Sequence, residues 1–129
     1  MDRKEKTDYI LEQMRLCLAT NDFARCQIIS RKISERLISN AEFQQEKERF
    51  YRMMIVYYAN AKLNVDICRS YLAIYNTPSI KADEAKWKAA LQKAVVYIIL
   101  ARYDHEQSDL SERIAADKVF SFFFRSKNH

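Results

Sequence analysis

The sequence predicts an all-α fold: a fragment of an α-solenoid made of stacked antiparallel helical hairpins, as in TPR and HEAT proteins. Its 129 residues contain no glycine and one proline, Pro78, whereas tight β-hairpins and phosphate-binding loops depend on glycine. Apolar residues recur at intervals of three and four, which is the helical period. The breaks between these apolar stretches are short and polar, so consecutive helices must pack antiparallel. We predict about six helices.

The first two predicted helices cover residues 7–19 and 22–38. Thr7 is predicted to cap the first helix, and Asp22 the second, because their side-chain oxygens can accept hydrogen bonds from free amides at a helix start. Thr20 and Asn21 precede Asp22 in a short polar break. The expected core residues of these two helices are Met14, Cys26, Ile29 and Ile33.

The third and fourth predicted helices cover residues 41–59 and 64–75. Asn64 is a plausible cap for the fourth helix. Pro78 ends it, because proline lacks the amide donor and disfavours helical backbone at the preceding residue. The expected core residues of this pair are Phe50, Met54, Tyr57 and Tyr71.

The fifth predicted helix covers residues 82–102 and is apolar over much of its circumference, which is typical of a helix packed between neighbours. Asp104, followed three residues later by Gln107, resembles a capping box and predicts the start of a sixth helix. Leu110 and Ile114 belong to this sixth helix. The expected core residues of the fifth helix are Trp87, Leu91 and Ile98.

A faint internal repeat accompanies these helices. An offset of 42 residues places Asp22 on Asn64 and Cys26 on Cys68, so a cap and a small residue coincide in both copies. Each copy is a hairpin of about 40 residues, which is close to the HEAT class. Single helices of this length are only marginally stable in water. Stacking of neighbouring hairpins must therefore supply the stability.

Residues that could support catalysis or bind a metal do not converge in the sequence. Cys17, Cys26 and Cys68 have no CxxC spacing and lie among apolar helical residues, which is typical of buried, reduced thiols in a cytosolic or nuclear protein. His105 and His129 are the only histidines and match no metal-ligand spacing. We expect no catalytic, cofactor or metal site, and therefore no enzyme. The apolar run at 94–101 is too short to cross a bilayer.

A basic and aromatic stretch offers an alternative function in nucleic-acid binding, with bases stacked on exposed rings and arginines at phosphates. The net charge of +5 comes from mixed rather than clustered charges, which falls short of a nucleic-acid signature. Phe50 and Tyr57 fall on one helical face and favour packing. Tyr51 and Tyr58, seven residues apart on another face, are with Arg52 the predicted exposed interface, for which a protein partner is equally suitable.

Several sequence segments resemble a known family. They include LEQMRLCL (11–18), QIISRKI (27–33), AIYNTP (73–78), KWKAAL (86–91), VYIILA (96–101) and EQSDL (106–110). In this order they are similar to the middle part of the 26S proteasome lid scaffold subunits known as the non-ATPase regulatory subunit 12 family. The resemblance covers about residues 4–118. It stops before the segment 119–129, which is rich in phenylalanine.

The resemblance implies a helical-repeat arm at residues 1–118 and a non-catalytic scaffold role in ubiquitin-dependent protein degradation. Other lid and regulatory-particle subunits are the implied partners, in cytoplasm and nucleus. The PCI domain that follows the arm in this family is expected to be absent, and the tail at 119–129 is expected to be divergent and disordered. A sister PCI complex, the COP9 signalosome, is an alternative assembly. We also expect the chain to self-associate through apolar faces that missing repeats would otherwise cover.

Overall fold

The computed structural model describes the backbone of residues 2–114 and the side chains of residues 2–106. The regular structure within that range is helical, so the predicted all-α fold is confirmed. The predicted tail at 119–129 lies outside the described residues. The helices are α1 (Arg3–Ala19), α2 (Phe23–Ser30), α3 (Glu35–Ile38), a 3₁₀ turn (Ala41–Phe43), α4 (Gln44–Asn60), α5 (Asn64–Tyr75), α6 (Pro78–Lys81) and α7 (Glu84–Ile114).

Two helical hairpins, α1–α2 and α4–α5, reverse direction through the same turn. The amide of Asp22 donates to the carbonyl of Cys17 at 2.8 Å, and the amide of Leu63 donates to the carbonyl of Tyr58 at 2.9 Å. In each turn the preceding residue, Asn21 or Lys62, has a φ of 59°. This is the Schellman arrangement that ends many helices. The two turns are 41 residues apart, so the predicted offset of 42 is one residue too long.

The turn at Lys62 yields a stability prediction. A lysine at positive φ suffers a clash between its Cβ and the backbone, which glycine lacks. We expect Lys62→Gly to raise the free energy of unfolding by about 0.5–1 kcal/mol in urea denaturation. Asn21→Gly is the matched control and should gain less, because asparagine tolerates this conformation. A loss of stability in Lys62→Gly would contradict the prediction.

The first helix starts earlier than predicted. Asp2 is its cap, since the Asp2 carboxylate accepts a hydrogen bond from the amide of Glu5 at 2.8 Å. Thr7 lies inside α1, fully buried, and its hydroxyl donates to the carbonyl of Arg3 at 2.8 Å. The prediction of Thr7 as a cap is therefore wrong. The Asp22 cap is confirmed, because its carboxylate accepts from the amide of Arg25 at 3.2 Å.

The second predicted helix is broken into α2 and α3. The hydroxyl of Ser34 accepts a hydrogen bond from the amide of Leu37 at 3.1 Å and starts a new helix there. Serine favours such local bonds over a place inside a helix. Ile33, in the break, still points into the core and is buried.

Pro78 has two roles. The helix α5 ends at Tyr75, as predicted, and Pro78 is the first residue of the short helix α6. Its missing amide costs nothing there, because the first amides of a helix have no partner within it. The helix α6 buries Ile80 against the core.

The last two predicted helices form one continuous helix, α7, so the predicted capping box at Asp104 is wrong. The Asp104 carboxylate instead accepts a hydrogen bond from the side-chain amide of Asn64 at 2.6 Å. Asn64 is the first residue of α5 rather than its cap, a position that Leu63 holds. This hydrogen bond joins the start of α5 to the C-terminal half of α7.

The buried side chains form two clusters. The first lies between α1, α2, α3 and α4 and contains the fully buried Leu11, Met14 and Ile38. The second contains Ile74 of α5 and Ile80 of α6 together with Ala90 of α7. The helix α4 lies between the two clusters, because it packs on α1 and on α5. The hairpins are therefore stacked, as the solenoid prediction requires.

Candidate protein-binding surface

The structure places the residues predicted for the core in three groups. Tyr57, Tyr71, Trp87 and Leu91 are half-buried. Ile98 is 39% exposed, so its prediction as a core residue is wrong. The buried members are Met14, Cys26, Ile29, Ile33, Phe50 and Met54.

The helix α7 packs on α5 through small residues rather than through Ile98. Ala90 and Ala94 are buried, and one turn further on the ring of Tyr97 stacks on Tyr71 with centroids 5.9 Å apart. Spacings of four and three place these three α7 residues on one face. Alanines bring the two helices close together, and Ile98, one residue past Tyr97, is turned away from that face.

The predicted interface of Tyr51, Tyr58 and Arg52 is only partly at the surface. Both tyrosines are half-buried, so the prediction of an exposed pair is wrong. Tyr51 packs against both core clusters, and burial raises the pKa of both phenols. Arg52 is exposed and forms an ion pair with Glu48 at 2.9 Å. The nucleic-acid alternative thereby loses the open rings on which bases would stack.

The extended apolar surface lies instead on α7, on the side opposite the face that packs on α5. We call this the α7 outer face. Ile99 at its centre is 59% exposed. The sequence signal for this surface is the apolar run at 94–101, which predicts a helix covered on more than one side. Within the part of the chain described, the main neighbour of α7 is α5. The α7 outer face consists of Lys88, Gln92, Val95, Val96, Ile99, Arg102, Tyr103 and Glu106.

A separate charged cluster joins α1 to α4 on the surface. Glu12 accepts hydrogen bonds from Arg15 on its own helix and from Arg49 of α4, the latter at 3.0 Å. The Arg15 guanidinium lowers the pKa of the Glu12 carboxyl, and Arg49 adds to the effect. A carboxylate paired with arginines in this way balances charge at the surface. The cluster supports the packing of the first hairpin on the second.

The buried hydroxyl groups are satisfied locally. The hydroxyls of Ser30, Ser70 and Thr77 each donate to a backbone carbonyl three or four residues earlier in the chain. Burial raises the pKa of the Cys26 thiol, which disfavours the nucleophilic thiolate. In the part of the chain with described side chains, no group of histidine, cysteine and carboxylate residues is arranged to hold a metal ion.

The surface has clefts between the helices. One of about 220 Å³ between α1 and the α2–α3 segment is lined by Arg3, Lys6 and Lys32 around the apolar Ile10 and Leu37. Among the described helices, none is long and apolar enough to span a membrane.

Comparisons with known proteins agree with the resemblance read from the sequence. A family model described as PSMD12/CSN4, N-terminal, matches residues 1–83, which include every helix from α1 to α6. The 26S proteasome non-ATPase regulatory subunit 12 of Dictyostelium discoideum is 34% identical over 114 residues, which cover 88% of this chain and 26% of the relative.

Two further relatives have a similar sequence identity to this chain. The 26S proteasome non-ATPase regulatory subunit 12 homolog B of Arabidopsis thaliana is 36% identical over an alignment of 145 positions, which covers 94% of this chain and 33% of the relative. The 26S proteasome regulatory subunit RPN5 of Saccharomyces cerevisiae is 32% identical over 117 residues, covering 91% and 26%. The chain thus spans between a quarter and a third of the length of these relatives. Because the family model matches well over half of its residues, the chain belongs to the PSMD12/CSN4 N-terminal family.

Proposed function

We propose that the chain is a non-catalytic scaffold segment of the lid of the 26S proteasome regulatory particle. In this role it supports ubiquitin-dependent protein degradation, in cytoplasm and nucleus, through contacts with other lid and regulatory-particle subunits. The observation that carries the proposal is the identity of 32–36% to proteasome regulatory subunits over most of the chain. Residues 1–118 are proposed as a segment of the helical arm.

The surface supports a binding role. Stacked hairpins bury one side of each helix and leave long outer faces free for partners. The apolar side chains of the α7 outer face are more closely grouped than the single exposed ones elsewhere, such as Tyr9 and Leu16. A grouped apolar surface is typical of protein interfaces, whereas single apolar residues are common on any protein.

The proposal is tested by native fractionation of cells that express the tagged chain. We expect the chain to migrate with the regulatory particle and with 26S proteasomes, and to be recovered when a different lid subunit is used as the affinity bait. The matched control is Ala94→Glu, which is expected to disrupt the packing of α7 (see Discussion). A folded chain that is absent from every proteasome fraction would contradict the proposal.

The same experiment separates the alternatives. Recovery with a subunit of the COP9 signalosome, and not with a lid subunit, would favour the sister assembly. Binding to nucleic acid would have to weaken steeply with salt, because counterions are released from the phosphates. Retention on DNA or RNA that does not change with salt would exclude that function.

A further inference from the structure

Two buried thiols lie in the two helices of the first hairpin. Cys17 is 7% exposed near the end of α1, and Cys26 is 0% exposed near the start of α2. Both belong to the buried cluster between α1, α2, α3 and α4, and both are free cysteines in this structure. The same helices therefore enclose the two thiols.

The turn between α1 and α2 brings the two cysteines to the same height. Cys17 lies two residues before the end of α1 and Cys26 three residues after the start of α2, so each is about 3–5 Å from the turn along its helix. The amide of Asp22 donates to the carbonyl of Cys17 at 2.8 Å, and the carbonyl of Asp22 accepts from the amide of Cys26 at 3.1 Å. Two Cα atoms that face each other across packed helices are about 4–7 Å apart, which is the range that a disulfide spans.

The electrostatics of the Cys26 thiol also reflect its neighbours. Burial raises its pKa, and Cys17 and Asp22 add to the effect. A thiol with a raised pKa is a poor nucleophile, which keeps Cys26 reduced under ordinary conditions. Cys17 lies at the rim of the cluster, because part of its surface is exposed. It is therefore the sulfur that a small oxidant reaches first.

We propose that Cys17 and Cys26 form a redox-sensitive pair, which hydrogen peroxide converts into a disulfide that joins α1 to α2. The Cys17 sulfur attacks one peroxide oxygen, the O–O bond breaks, and Cys17 becomes a sulfenic acid as one water leaves. The Cys26 sulfur then attacks the Cys17 sulfur, and the hydroxyl of the sulfenic acid leaves as a second water with the proton of the Cys26 thiol. Two thiols are thus oxidised to one disulfide, and one peroxide is reduced to two waters.

The bond would fasten the first hairpin at its turn. It closes a loop of about ten residues and so restricts the unfolded chain, whereas the folded hairpin already holds the two helices together. We expect the equilibrium constant for unfolding in urea to fall by about tenfold on oxidation. The inference is independent of the proposed function, because it requires only the chain itself.

Peptide mapping of the full chain after treatment with dilute hydrogen peroxide tests the proposal. Trypsin cleaves after Arg25, between the two cysteines, so a disulfide holds the peptides 16–25 and 26–31 together until a reductant is added. We expect this linked pair from the folded chain. Cys68 is similarly buried, at 5%, but belongs to α5, and its peptide 63–69 should stay unlinked.

Variants and a denatured sample provide the controls. Cys68→Ala is the matched control and should give the same linked pair as the wild type. Cys26→Ala should give no linked pair and should leave Cys17 as a sulfenic acid, which dimedone traps. Oxidation in urea shows the unfolded chain, in which pairings with Cys68 should also form. Circular dichroism before digestion checks that the oxidised chain keeps its helices.

Four results would overturn the proposal. The first is a folded wild type that gives no linked pair in peroxide. The second is a linked peptide that contains Cys68 in the folded chain. The third is the same mixture of pairings with and without urea, because the disulfide would then form only after unfolding. The fourth is an oxidised chain that unfolds at lower urea than the reduced one, which would show that the bond strains the hairpin.

Discussion

Leu11→Ala is expected to lower the free energy of unfolding by about 3–4 kcal/mol. The Leu11 side chain is 0% exposed, at the centre of the cluster in which α1 meets α2 and α4. Truncation removes its buried methyl groups and leaves a cavity that the surrounding helices fill only in part. A loss of this size is a large part of the stability of a domain of this length.

Leu16→Ala is the matched control for this experiment, because Leu16 belongs to the same helix and is 51% exposed. Both changes remove the same atoms and have the same helix propensity, so the difference between them reports burial alone. We expect Leu16→Ala to cost less than about 1 kcal/mol. Urea denaturation followed by circular dichroism measures both values. Equal losses in the two variants would show that α1 does not face the first cluster with Leu11.

The main helical hairpins could be predicted from the sequence because their signals are local. The three-and-four spacing, the Asp22 cap and the stop before Pro78 each act within a few residues, and the observed helices α1, α4 and α5 follow them. The errors occur where a polar side chain has a choice of partners. Ser34 bonds to the next turn and breaks a helix, whereas Asp104 bonds to Asn64, 40 residues away, and leaves its helix intact. Spacing alone cannot distinguish these outcomes.

The predicted interface failed for a reason that lies in the stacking. A helix with one neighbour buries one stripe, and on α4 the stripe through Phe50 and Met54 accounts for its contact with α1. The helix α4 also packs on α5, so a second stripe is covered as well. Tyr51 and Tyr58 are seven residues apart; Tyr51 packs against both clusters, and Tyr58 packs against the first one. Their separation correctly predicted a common face, but the sequence does not say how many neighbours a helix has.

The apolar run on α7 presented the opposite problem. Because residues 94–101 are apolar around the whole helix, their spacing does not indicate which side faces α5. The two alanines settle this in the structure, since Ala90 and Ala94 permit a close approach that larger residues prevent. The bulky Val95 and Ile99 are then turned outward. Residue size, and not hydrophobicity, therefore determines which side of this helix faces outward.

Ala94→Glu tests this arrangement with an expected loss of about 3–5 kcal/mol in the free energy of unfolding. Ala94 is 2% exposed, so the new carboxylate would be buried without a partner or would push α7 off α5. Trp87 on α7 is the chain's single tryptophan. Its ring lies edge-on to the ring of Tyr75, with centroids 6.3 Å apart. Its fluorescence should therefore shift to longer wavelength as α7 separates and water reaches the ring.

The matched control is Ile99→Glu. Ile99 is five residues from Ala94 and about 140° around the helix, and its side chain already meets water. We expect its loss of stability to stay within about 1 kcal/mol, with unchanged tryptophan emission. If Ile99→Glu were the more damaging of the two, α7 would be packed through the side proposed here for binding. The α7 outer face would then be part of the core and would not be available to a partner.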